Sequence, residues 1–311
     1  MLSIFKSRPF NAEKDIPPLD GKVILVTGGN VGLGKQAVVD FAKHNPREVW
    51  IGARSAKKAE DAATEIRQQV PGALVKVLEL DLASFESIKN AANTFMSQSD
   101  RLDVLMCNAG VMALPPGLTK NGYEIQFGTN HLGHAFLFKS LLPVLSKTAA
   151  SPGSDVRIVS LASYGHTSWP KGGLRYDLLK TPAEELGAYS RYYQSKLANV
   201  LWARQLAKEY PQFTVASVHP GVVQTQIMAR ATETPAIVKA LVRITGPLLQ
   251  TVDRGVRNQL WASVSKDVKS GEYYEPVGVS GMASADGKND VMAQGLWEWT
   301  EKELASWAPS S

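Results

Sequence analysis

A phenol and an ammonium group stand four residues apart in the run Tyr192-Tyr193-Gln194-Ser195-Lys196, and Ser163 precedes them. Positions i and i+4 share a helix face, so Tyr192 and Lys196 can act on one small volume. A cation beside a phenol favours phenolate, which suits proton transfer to or from a substrate oxygen. A free phenol ionises near pH ~10, so bringing it about three units toward neutrality takes roughly 4 kcal/mol of preference for the anion. Tyr189 and Tyr193 have no lysine four residues on, so neither carries a cation on its own face. Alone, a tyrosine and a lysine at this spacing would also describe an ordinary exposed helical pair.

A second run changes the weighing. Val23-Ile24-Leu25-Val26-Thr27 is apolar and β-branched, Gly28-Gly29-Asn30-Val31-Gly32-Leu33-Gly34 follows, and residues 35 to 43 have helical character. That order reads as a buried parallel strand, a tight turn and a helix opening. The turn aims backbone N–H groups and the positive end of the helix at whatever lies above, which favours phosphate. Glycines let a pyrophosphate approach the backbone where a Cβ would hold it off. The spacing Gly28-x-x-x-Gly32-x-Gly34 departs from the wider dinucleotide fingerprint, and such a turn could also serve strand-to-helix packing alone.

Together these residues resemble the short-chain dehydrogenase/reductase family, from about Gly21 to Gly271-Glu272-Tyr273-Tyr274. The turn holding Thr27, Gly28, Asn30, Gly32, Leu33 and Gly34 is similar to the family's cofactor turn, and Cys107-Asn108-Ala109-Gly110 to its strand-four motif, with Asn108, Ala109 and Gly110 as contacts. Asn130, Ser163, Tyr192 and Lys196 resemble its catalytic tetrad, Tyr192 and Lys196 also touching the cofactor. His219-Pro220-Gly221-Val222-Val223-Gln224-Thr225 resembles the segment beside the nicotinamide, with Pro220, Gly221, Val223 and Thr225 as contacts. Asp81-Leu82 resembles the adenine contact, although an aspartate there would equally cap the next helix. Phe127 to His134, Ser195-Lys196-Leu197-Ala198-Asn199 and the long stretch from Ser163 to Tyr192 most resemble the retinol-dehydrogenase-like branch. Two departures, Cys107 for the usual asparagine and Ala162 for a serine, leave the four chemical residues intact.

The resemblance implies hydride transfer between nicotinamide and a carbonyl carbon. Tyr192 would exchange the proton, Lys196 support the phenolate, Ser163 hydrogen-bond the substrate oxygen, and Asn130 hold a water linking Lys196 to solvent. It also implies a homodimer through the long helices carrying Asn130 and Tyr192. The place where an acid would accept the adenosine ribose and repel a 2′-phosphate reads Trp50-Ile51-Gly52-Ala53-Arg54. No acid stands there, and Arg54 offers a planar cationic fork, with Lys57 and Lys58 nearby, so NADP(H) is preferred over NAD(H).

The elements that must position these groups follow from periodicity. Strands are expected at 23 to 27, 49 to 53, 74 to 80, 103 to 107, 156 to 161 and 213 to 218, with a seventh near 272 to 276. Helical patterns lie near 33 to 44, 56 to 69, 84 to 98, 121 to 147 and 190 to 209. That alternation predicts an α/β fold: one doubly wound parallel sheet of Rossmann type, helices on both faces, ligand beyond the carboxyl ends of the strands. At 311 residues and 44% hydrophobic, the chain fits one catalytic domain over 1–311, with an N-terminal arm (1–20) and a substrate lid (225–255).

Lysines and arginines are scattered among 29 acids despite a net charge of +5, so no nucleic-acid partner is expected. One cysteine cannot form an internal disulfide, which fits a reducing, cytoplasmic setting. The five histidines, His131 and His134 among them, have no cysteine or carboxylate cluster beside them, so they read as structural and no metal is expected. No transmembrane stretch is seen, and Met1 to Arg8 is too short for a secretory signal. Ile237, Val238, Leu241, Val242 and Ile244 among Lys239 and Arg243 would suit a lid, a core-packed helix or a peripheral membrane contact. That lid and Tyr164, Trp169 and Tyr176 point to a bulky hydrophobic carbonyl or alcohol, although the aromatics would serve core packing equally well. The reading is a ketone or aldehyde reductase; the alternatives are an NAD-dependent alcohol dehydrogenase and a non-catalytic nucleotide-binding scaffold.

Overall fold

A computed structural model describes residues 7–169, 172–223, 231–234 and 250–307. The apolar runs become strands β1 (Val23–Thr27), β2 (Glu48–Ala53), β3 (Val75–Glu79), β4 (Val104–Cys107), β5 (Arg157–Leu161), β6 (Thr214–Val218) and β7 (Tyr273–Tyr274). They form one sheet in the order β3-β2-β1-β4-β5-β6-β7, and every neighbouring pair is parallel. Among the described residues the helices are α1 (Ala12–Asp15), α2 (Gly32–Ala42), α3 (Ala56–Gln69), α4 (Phe85–Gln98), α5 (Ile125–Phe127), α6 (Gly133–Ala149), α7 (Gly187–Glu209), α8 (Val252–Gly255), α9 (Arg257–Val264) and α10 (Asp290–Leu304).

Strand side chains alternate between two cores, as the pleat requires. Val23, Leu25 and Leu105 face α4, α6 and α7, whereas Ile24, Val26 and Met106 face α2, α3 and α9. The sheet is therefore doubly wound, as the alternation in sequence predicts. Chain order reverses between β1 and β4, where Val26 pairs with Met106, so Gly28 and Asn108 emerge side by side at the carboxyl end. This is the switch point at which such sheets open a crevice.

Boundaries shift where side chains intervene. The helix expected from 121 begins at Ile125, because the Glu124 carboxylate caps it by accepting from the N–H groups of Gln126 (3.0 Å) and Phe127 (2.6 Å). A π-helical turn, Gly128–Leu132, joins α5 to α6. The seventh strand keeps two residues of the five expected. Within the expected N-terminal arm, Phe10, Ile16 and Leu19 are buried in the second core.

The C-terminal α10 had no counterpart among the helices expected from periodicity. Ala293, Leu296 and Leu304 join the first core with α7 residues. Thr300 Oγ1 lies 3.0 Å from His131 Nε2, Tyr123 donates to Glu303 (2.7 Å), and Arg204 (2.6 Å) and Lys208 (2.9 Å) pair with Asp290. The chain thus lays its own helix against α6 and α7, the long helices through which the homodimer is expected.

Candidate active site

The glycine turn has the shape its sequence requires. Gly28 (φ +65°) and Gly32 (φ +53°) lie in the left-handed region that favours glycine. A Cβ on Gly34 would stand 2.4 Å from Gly28 O and 2.5 Å from Asn108 Nδ2, so the turn and the strand-four motif close only over glycine. A Cβ on Gly32 would meet nothing within 4 Å, which leaves open space above the turn. Asn108 Nδ2 donates to Thr27 O (2.7 Å) and Ala109 N to Thr27 Oγ1 (2.9 Å), locking the two motifs together. Gln259 of α9 supports Asn108 from behind, Nε2 to Oδ1 at 3.3 Å. Leu33 and Val223 converge on Gly255, where an added Cβ would meet both. Gly221 has φ +88°, with Pro220 before it; Thr225 lies outside the described residues, as does most of the expected lid.

Asp81 is not the cap of α4: its Oδ1 accepts from Ala83 N (3.1 Å) in the preceding turn, and Ser84 caps the helix by accepting from Ser87 N (3.3 Å). Leu82 is buried, its carbonyl against Gly133. Asn30 is half-buried on the turn. Arg54 is exposed directly after β2. Lys57 pairs with Asp61 at 3.4 Å, and Lys58 is exposed.

The four candidate catalytic residues converge at the carboxyl ends of β4 and β5. Ser163, two residues beyond β5, lies near enough to Tyr192 for its hydroxyl to favour the phenolate, and that hydroxyl accepts from Gly165 N (3.1 Å). Tyr192 and Lys196 lie on one face of α7, with Lys196 Nζ 5.7 Å from the phenol ring centroid. Nζ donates to Leu161 O (2.7 Å). Burial pushes Lys196 down to about 8, because an enclosed ammonium loses its hydration. Burial also pushes Tyr192 up to about 12, against a smaller lowering from Ser163. The expected depression of the phenol is therefore not produced by the protein groups around it.

The Asn130 side chain is held by the protein on three sides. Its Oδ1 accepts from Val111 N (2.8 Å), and Nδ2 donates to Val111 O and Ser195 Oγ (both 2.9 Å). Both amide hydrogens are spent on protein, so the side chain clamps the strand-four loop to α7. Its backbone carbonyl accepts from His134 Nδ1 (2.9 Å), and His134 Nε2 lies 2.9 Å from Thr27 Oγ1.

Three further features were not anticipated from the sequence. His166 donates from Nδ1 to Ser163 O (2.7 Å) and accepts at Nε2 from Ser284 N (3.1 Å), tying the Ser163 loop to the C-terminal segment. Arg191, beside Tyr192, forms a fully buried pair with Glu124 at 3.4 Å. His134 stands four residues after Asn130, the spacing of Tyr192 and Lys196, and that spacing was the available signal. Of the three aromatics in the insert, Trp169 is core, its N–H given to Gly173 O (2.9 Å). Tyr176 packs on Trp299 of α10. Only Tyr164, 59% exposed and 6.5 Å from the His219 ring, stands beside the site. Among the described residues no three potential metal ligands gather.

Residues 22–172 match the family model described as short chain dehydrogenase. The chain is 39% identical to the short-chain dehydrogenase/reductase drtF of Aspergillus calidoustus, over 93% of this chain and 95% of that one. It is 34% identical to retinol dehydrogenase 12 of Mus musculus, over 90% and 85% respectively. Among solved structures, an uncharacterized protein from Mycobacterium paratuberculosis matches with a TM-score of 0.74 at 27% identity, covering 97% of this chain and 100% of the other. The RhlG/NADP active-site complex of Pseudomonas aeruginosa shares the fold at a TM-score of 0.65 and 23% identity, over 84% of this chain and 96% of that one.

Proposed function

The chain belongs to the short-chain dehydrogenase/reductase family and resembles its retinol-dehydrogenase-like branch, and on that premise we propose an NADP(H)-dependent carbonyl reductase acting on a bulky hydrophobic ketone or aldehyde. The observation that carries this reading is the meeting of Ser163, Tyr192 and Lys196 beside a turn that closes only over Gly28 and Gly34. A nicotinamide cofactor fits that turn, because Gly32 leaves free the volume its phosphates need and N–H groups of the α2 start face it. When bound, the cofactor supplies the hydride; the residues supply everything else.

Ser163 orients the substrate oxygen and shares the developing charge by hydrogen bonding. Tyr192 gives its proton to that oxygen, and its high affinity for the proton keeps it in the acid form a reductase needs. Lys196 holds a positive charge within reach of the phenol as phenolate forms. Asn130 keeps the loop after β4 and α7 at fixed separation. NADP(H) preference follows from Arg54, exposed where an acid would otherwise stand. Exposed Tyr164, Val222 and Met282, on the segments after β5, β6 and β7, offer apolar surface to a large substrate. The reading includes a substrate lid over 225–255, which the contact of Tyr189 with Thr234 (2.8 Å) beside Tyr192 supports.

The test is a tryptophan-fluorescence titration with NADPH and NADH, followed by turnover of hydrophobic ketones and aldehydes. Tighter NADPH binding, lost on Arg54→Asp, is expected. Preference for NADH would move the reading to alcohol oxidation, and no binding of either would leave a non-catalytic scaffold.

A further inference from the structure

We propose that His134 is a positioning residue that joins the Asn130 backbone carbonyl to the Thr27 hydroxyl and so holds the catalytic helix and the cofactor turn in one register. This rests on the oxidoreductase reading above. The geometry fixes where each hydrogen lies. Nδ1 faces a carbonyl oxygen at 2.9 Å, which can only accept, so Nδ1 carries the proton. Nε2 is then a bare acceptor, and the Thr27 hydroxyl at 2.9 Å donates to it. The same hydroxyl oxygen accepts from Ala109 N at 2.9 Å. The result is a directed chain, Ala109 N–H to Thr27 Oγ1, Thr27 O–H to His134 Nε2, His134 Nδ1–H to the Asn130 carbonyl, with every group satisfied in the dry interior.

A protonated ring breaks this chain. Nε2–H would have to donate into Thr27 Oγ1, and the hydroxyl hydrogen would be left with Met106 O at 3.4 Å, a long and weak alternative. The ring is 97% buried, and the charged or titratable groups acting on this cluster are Lys196 and His131, neither of which favours an imidazolium. Burial accordingly holds His134 down to about 4, so it stays neutral at working pH. Packing alone would be served by an apolar ring. What the imidazole adds lies at the two ends of the chain, since Thr27 is the last residue of β1 before Gly28 and Asn130 clamps the loop after β4 to Ser195 of α7.

The two nitrogens can be tested separately in the full-length protein. His134→Asn places a donor near the Nδ1 position, and His134→Gln places an acceptor near the Nε2 position. We expect His134→Asn to raise the KM for NADPH about tenfold with a smaller loss in kcat, and His134→Gln to lower kcat about tenfold with a smaller change in KM, as loss of a single buried hydrogen bond implies. Equal losses of both parameters in both variants, tracking a common fall in Tm, would overturn the proposal. Histidine-selective nitrogen-15 spectra of the parent give a readout independent of turnover, the His134 signal being the one absent from His134→Gln. An Nδ1–H tautomer that does not titrate between about pH 5.5 and 8.5 is expected; an Nε2–H tautomer or titration near the free value overturns it. If the parent shows the expected tautomer but binds neither NADPH nor NADH, the oxidoreductase reading fails and the positioning role with it.

Discussion

Tyr192 and Lys196 share one enclosure that disfavours the charge of each, and so moves their pKa values in opposite directions. Tyr192→Phe removes the exchangeable proton, and turnover is expected to fall by about 10²–10⁴ with NADPH affinity nearly kept; steady-state kinetics and fluorescence titration check both halves. Lys196 carries a stability cost as well as a function. Its folded value, about 8, lies below the 10.5 of an unfolded lysine, so folding is penalised while the unfolded chain holds the proton more strongly. That penalty is complete below pH 8 and is relieved as pH rises toward 10.5. Lys196→Met is therefore expected to be inactive yet more stable at pH 7, by on the order of 2–3 kcal/mol, with the gain shrinking across that window in denaturant titrations. A Lys196→Met variant less stable than the parent at pH 7 would show that the bond to Leu161 O outweighs desolvation.

At the scale of elements, the period-two and period-3.6 patterns carried most of the fold. β1 and α3 fall at the expected residues, and the parallel, doubly wound sheet is the one the alternation predicts. What stayed hidden depended on partners remote in sequence. Nothing near Glu124 announces that its carboxylate ends the loop before α5, since its buried partner, Arg191, lies far along the chain on α7. Asn289 caps α10 with bonds to Val291 N (2.9 Å) and Met292 N (3.1 Å), a signal present in the sequence but hard to separate from the polar residues around it. The four candidate catalytic residues could be named because chemistry restricts residue type; the bonds of the Asn130 amide could not, because Val111 and Ser195 belong to other elements. Glu124→Ala leaves Arg191 enclosed without its counter-charge, and a loss of about 3–5 kcal/mol is expected in thermal or denaturant unfolding. Gly34→Ala drives a methyl into Gly28 O, and loss of NADPH binding is expected even where the protein still folds.

Across the whole molecule, α10 closes the surface of α6 and α7 with the chain's own residues. Sedimentation of the purified protein is accordingly expected to give the mass of one chain, and charge reversals on the outer face of α10 should leave it unchanged. A mass of two chains would place the interface on another surface, with the β7 edge of the sheet the first to examine. No helix among the described residues is long and apolar enough to cross a membrane.

The single cysteine, Cys107, lies at the end of β4, only 1% exposed, and burial pushes its thiol up to about 12. At neutral pH it holds almost no thiolate, so alkylating reagents and mild oxidants have nothing to attack in the folded chain. The native sequence is in effect a silent background for site-directed spectroscopy. Val291→Cys, at an 81% exposed position in the first turn of α10, would introduce the sole reactive thiol, and a spin label or fluorophore there would watch the C-terminal helix stay on, or lift from, the frame beneath it.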